Sequence, residues 1–132
     1  MKYIKTFAAI ALFFAVNNLS AQSLKDWPSL KAFHEVMSAT FHPAEEGKLE
    51  PIKTRSQELT DAAQKLTQAN DVPAAFHTKA IQASVLNLQA KTAEVSKLVA
   101  SKASDADITK ALSEAHDIFH EIVGLCSKEE KK

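Results

Sequence analysis

Residues 104–126 read SDADITKALSEAHDIFHEIVGLC, and the spacing within this stretch decides the fold. Ile108, Leu112, Ala115, Phe119, Ile122 and Cys126 recur at intervals of four and three, which places all six on one stripe of an α-helix. Ser104 followed by Asp107 resembles an acidic capping box at its start. The same alternation runs through Ile81, Val85, Leu88, Thr92, Val95 and Val99. Leu30, Phe33, Met37 and Phe41 make a first stripe, on a helix expected over 24–41, with Pro28 near its start, Pro43 forcing its end and Gly47 in the loop. Ile52, Leu59, Ala63 and Leu66 make a second, beginning around Glu50-Pro51 and stopping at Asn70. Asp71-Val72-Pro73 is expected to turn directly into the third helix, and the tail from Ser127 to Lys132 to fray. Four heptad-like stripes on short connections predict an all-α, up-down-up-down antiparallel four-helix bundle.

Composition agrees. The 132 residues hold only two glycines and four prolines, too few for a turn-rich sandwich or barrel, and a 45% apolar content argues against disorder. One cysteine cannot build a disulfide framework or a four-thiolate zinc site. A net charge of zero leaves no electrostatic footprint for nucleic acid.

The first 21 residues read as a leader: Lys2 and Lys5 form a basic start, Phe7 to Val16 an apolar run, and Ser20-Ala21 a small-residue cut. The run is shorter than the roughly 20 residues a membrane span needs, so no stable membrane anchor is expected. The expected organisation is a signal peptide over 1–21 and one bundle domain over 22–132, exported to the periplasm or beyond. Loss of the leader's two lysines leaves 14 basic against 16 acidic side chains, a mildly acidic domain.

Five histidines in so short a chain point to a site. His116-x-x-x-His120 sets two imidazoles one turn apart on one helix face, a bidentate grip for a transition ion. At 100° per residue His116 falls about 80° and His120 about 120° from the stripe centre, on the flank of the bundle. With turn centres near 103, 71 and 46, His120 lies level with about residue 86, then 56, then 36, to within about a turn of 5.4 Å. His34, Met37 and His42 occupy that height on the first helix. The candidate metal set is therefore His34, His116 and His120, completed by His42 or Met37, for copper or zinc. Glu45 and Glu46 lie in the loop nearby, and Gly124 strips the flank one turn past His120. The plainer readings make Met37 and Cys126 core residues, His42 a helix-end residue acting on the dipole, and Trp27 a plug of the bundle end.

This layout resembles the exported four-helix haem proteins, cytochrome c-prime and its b-type relative, over about residues 24–128. The resemblance implies a histidine ligand on the last helix and, for the b-type relative, a methionine on the first, which here would be Met37 with His120 around non-covalent haem b. Covalent haem is excluded, because Cys126-Ser127-Lys128-Glu129-Glu130 lacks both the second Cys and the His of C-x-x-C-H. Three functions follow: a non-enzymatic periplasmic protein that holds or relays copper or zinc; a b-type electron-transfer bundle; or a helical adaptor or stress protein, its histidines incidental, with an exported partner or a second copy. No Ser/His/Asp set, phosphate loop or nucleophile elbow is present, so an enzyme is not expected.

Overall fold

The computed structural model describes residues 24–132, and the expected leader lies outside them. Four long helices, α1 (Pro28–Glu45), α2 (Glu50–Gln68), α3 (Lys79–Ala100) and α4 (Asp105–Glu130), with a 3-10 turn at Ala74–Phe76 and a short helical stretch over 24–26, supply the secondary structure of the described residues, which is all-helical. None of these helices is long and apolar enough to cross a membrane. Each helix packs on the next in the chain, and α1 also meets α4, more sparsely. The expected stripes face one core, in which Leu30, Ile52, Leu59, Leu88, Leu112, Ala115 and Ile122 are fully buried.

Local chemistry sets most boundaries. Trp27 breaks the helical path with φ −125° and ψ 92°, and Pro28 opens α1, where its missing N–H goes unneeded. Trp27 supplies no side-chain cap. Asp71, from the far connection, does so instead: its Oδ2 accepts from the backbone N–H of Ser29 at 2.9 Å and from its hydroxyl at 2.7 Å. Trp27 itself is 1% exposed and tilts against Phe76 with ring centroids 6.1 Å apart, so it does close one end of the core. Asp71 Oδ1 and Trp27 Nε1 are buried and have no hydrogen-bond partner among the described residues. Thr78 caps α3 by accepting from the N–H of Ile81, and Ser104 caps α4 by accepting from that of Asp107.

Four boundaries differ from the sequence expectation, the first being that Trp27 interrupts the helix expected from 24, so that α1 opens at Pro28. α1 runs through Pro43 to Glu45. The only carbonyl Pro43 leaves unbonded by its ring nitrogen is that of Ala39, an exposed residue that water can serve. The stop comes instead at Gly47, whose φ of +84° is left-handed. The α2–α3 connection is longer than a simple turn: after Asn70, at φ +54°, the chain makes the 3-10 turn that buries Phe76. α4 continues to Glu130 where fraying was expected, with Cys126 and Ser127 buried.

Side-chain pairs fix the neighbours' registers. Lys91 Nζ joins Glu94 at 2.7 Å and, across α3 and α4, Glu114 at 2.9 Å, while Lys110 reaches the other oxygen of Glu114 at 2.8 Å. These two ammonium groups hold the Glu114 carboxyl down at about 2. Between α2 and α3 the contact is made by small hydroxyl residues. Thr60 Oγ1 donates to the Thr92 carbonyl and lies 2.6 Å from Ser96 Oγ, which donates to the Ser56 carbonyl. Gln89 Nε2 donates to the Ala63 carbonyl and to Thr67 Oγ1.

Candidate metal centre on the seam between α1 and α4

The α1–α4 seam is aromatic, and its rings form an unbroken chain. His34 stacks on Phe119 at a centroid distance of 5.3 Å, and Phe119 meets His120 edge-on at 5.8 Å. His120 meets His116 at 4.4 Å, His116 stacks on Phe41 at 3.9 Å, and Phe41 touches His42 at 6.0 Å. Phe33 backs Phe119 from the core at 5.7 Å. Rising numbers on α1 thus meet falling numbers on α4, and His120 sits opposite Phe33 and His34, close to the expected level. Four of the five histidines lie on this strip. His77 does not: it belongs to the Trp27 end, where its Nε2 lies 3.1 Å from the Val72 carbonyl.

Within the strip one pair is in direct nitrogen contact. His116 Nε2 and His120 Nε2 are 3.2 Å apart, so one ring donates and the other accepts. His120 is exposed and His116 half-buried. Burial lowers the pKa of His116, and the charge of His120 lowers it further against a smaller opposing pull from Asp117 and Glu45. His34 is lowered likewise, by burial first, then by His120 and His42, with Glu35 opposing. Both rings are thereby biased toward the neutral form, which is the form that ligates a metal.

The remaining expected ligands are near but differently engaged. His34 Nε2 lies 3.3 Å from Ser38 Oγ. His42 Nδ1 lies 3.6 Å from Glu45 Oε2, both side chains being well exposed. Among the described residues no group of three or more His, Cys, Asp or Glu is close enough to hold an ion, so the seam gathers the imidazoles without converging three of them on one point. Phenyl rings account for this spacing, since Phe119 touches both His34 and His120 and Phe41 touches both His42 and His116. Met37 is 1% exposed in the core, as is Cys126 at 0%. Burial drives the Cys126 thiol up to about 12, which keeps it protonated and inert.

The same burial tests the haem fit. An axial pair must face one opening, yet Met37 is enclosed while His120 stands on the surface. A macrocycle at His120 would meet the Met37 sulfur only if the core opened first, so these residues do not fit haem as they stand. The sequence reading missed the two phenylalanines. Their signal was present, because Phe41 and Phe119 are stripe positions that each directly precede a histidine. Gly124 lies exposed in α4, and a Cβ there would meet nothing within 4 Å. The flank beyond His120 is therefore open. A cleft of about 330 Å³ lies at the Trp27 end, walled by Leu66, Val72, Phe76, Ile81 and Val85, with Leu86, 60% exposed, at its lip.

No protein-family model, curated protein or solved structure matches this chain.

Proposed function

We propose that this chain is an exported, periplasmic, non-enzymatic four-helix bundle of up-down-up-down topology that holds or relays a transition metal ion, zinc or copper, at His116 and His120. One observation carries the reading: the 3.2 Å separation of the two Nε2 atoms. With metal–nitrogen bonds of about 2.0–2.1 Å, that separation subtends roughly 100° at the metal, near the tetrahedral angle of about 109°. The pair at i and i+4 already has the nitrogen separation a metal needs, and the rings have only to turn from each other toward the ion.

Binding does require a change of tautomer. In the free pair one Nε2 carries the proton it donates to the other. Two ligating Nε2 atoms need both protons on Nδ1, so the donating ring's proton leaves Nε2 and is regained from solvent at its own Nδ1, with no net release from the neutral pair. The half-buried His116, packed on Phe41, is the fixed jaw, and the exposed His120 is the jaw through which an ion enters and leaves. The charge of His42 adds a small lowering to His116. The exposed face leaves the remaining coordination positions accessible, which suits a carrier.

Titration with zinc and copper against a competing chromophoric chelator tests this. Wild-type protein should withdraw metal from the chelator, and the His116→Ala/His120→Ala variant should not. Equal competition by the two proteins would end the proposal. A second reading, a helical adaptor, is favoured by the exposed Leu86 beside the apolar cleft. It is distinguished by a partner that stays bound in chelator and is lost in Leu86→Asp.

A further inference from the structure

We infer that the ion gripped by His116 and His120 is zinc shared between two copies of this chain, each supplying the same two imidazoles across a two-fold axis; the inference rests on the metal-grip reading above. A tetrahedral ion has four positions, and the pair spans one edge of the tetrahedron. The opposite edge has the same length, and a two-fold axis exchanges the two. A second copy therefore provides the missing ligands with no new chemistry.

The chain's own side chains do not close the sphere. Among the described residues no third His, Cys, Asp or Glu joins the pair. His34 lies flat on Phe119 with its Nε2 at Ser38, His42 faces Glu45, and Met37 and Cys126 are sealed in the core. The flank, by contrast, is open to a partner. His120, Asp117, Glu121 and Gly124 are all exposed, and the space over Gly124 is empty.

Geometry and charge specify the assembly further. Opposite tetrahedral edges are perpendicular, so the two imidazole pairs meet crosswise at the ion. The exposed flank around His120 carries Asp117, Glu121 and Gly124, so the metal and not apolar packing holds the pair. Asp117 and Glu121 are exposed beside the two histidines, so bringing two copies together at the pair gathers four carboxylates whose mutual repulsion a shared dication offsets. The complex should therefore be monomeric without zinc and dimeric with it.

Sedimentation velocity of the purified protein with and without zinc, combined with zinc content after gel filtration and chelator competition, decides the matter. Expected is a doubling of mass on adding zinc, about one half zinc per chain in a four-ligand site, and reversal by EDTA. Zinc bound at one per chain with unchanged mass would overturn the shared site and leave the metal grip standing. Failure to compete for zinc at all would remove the grip, and the shared site with it. A dimer that survives EDTA, or persists in His116→Ala/His120→Ala, would assign the contact to another surface and overturn the inference.

Discussion

Replacing Asp71 with alanine removes the cap that α1 borrows from the opposite connection. One carboxylate oxygen accepts two hydrogen bonds from Ser29, at 2.9 and 2.7 Å, and Ser29 is buried. Hydrogen bonds to a charged group contribute about 1.5–3 kcal/mol each. The negative charge at the helix N-terminus adds about 0.3–1 kcal/mol. Opposing these, the other oxygen is buried without a hydrogen-bond partner among the described residues. Truncation relieves that penalty, about 1–3 kcal/mol. The balance is a loss of about 3 kcal/mol, or roughly 10–15 °C in Tm for a domain near 100 residues. Thermal and urea unfolding followed by circular dichroism at 222 nm would measure it. Asp71→Ser, which keeps one acceptor and deletes the unpaired oxygen, should recover about half of the loss. Ser29→Ala, which removes only the hydroxyl bond, should cost about 1.5–3 kcal/mol. An Asp71→Ala protein melting within about 2 °C of wild type would refute the assignment of this carboxylate as the cap.

Acid should destabilise the protein through the seam. His34 and His116 are harder to protonate in the fold than in the unfolded chain, where the reference pKa is 6.5. As pH falls through 6.5 the unfolded chain takes up more protons, so the stability contributed by the neutral rings, full above that pH, declines toward and below their folded values. Urea midpoints at pH 7.5 and 5 should therefore fall, and a His34→Gln/His116→Gln variant should show a flatter profile. Met37→Ala should lose about 2–5 kcal/mol by opening a core cavity while leaving the zinc competition of folded protein unchanged. Cys126, buried and with its thiol pushed up to about 12, should react with a thiol reagent only in denaturant, a contrast that a colorimetric assay reads directly.

Helix identity and the core face were legible because apolar spacing alone encodes them, as Ile108 to Cys126 illustrates. Register was legible only where connections are short. Lys91 meets Glu114 across the α3–α4 turn, as a centre near residue 103 requires. The α2–α3 step was not: a centre at 71 places Thr60 level with about residue 82, yet it bonds Thr92, some 15 Å further along a helix. The 3-10 turn and the burial of Phe76 under Trp27 displace that connection, and no periodic signal announces either. The meeting of α1 with α4 still falls near the expected height, because Phe33 and His34 dock on Phe119 directly. That α1 and α4 are neighbours was readable from topology; the height at which their histidines meet was not, because the α2–α3 step on which it depended is displaced. The exact nitrogen contact was not readable either, since it depends on rotamers and on phenyl rings that separate α1 from α4.

The hydroxyl contact between α2 and α3 has a mechanical consequence. Thr60 and Ser96 each answer to a particular carbonyl on the facing helix, and such partners recur only at whole-turn intervals. Sliding one helix along the other by a fraction of a turn breaks both cross-helix bonds together, between side chains that are half-buried. The hairpin therefore behaves as a ratchet with its pawl engaged: pulled along its axis, it should hold and then release in one event instead of creeping.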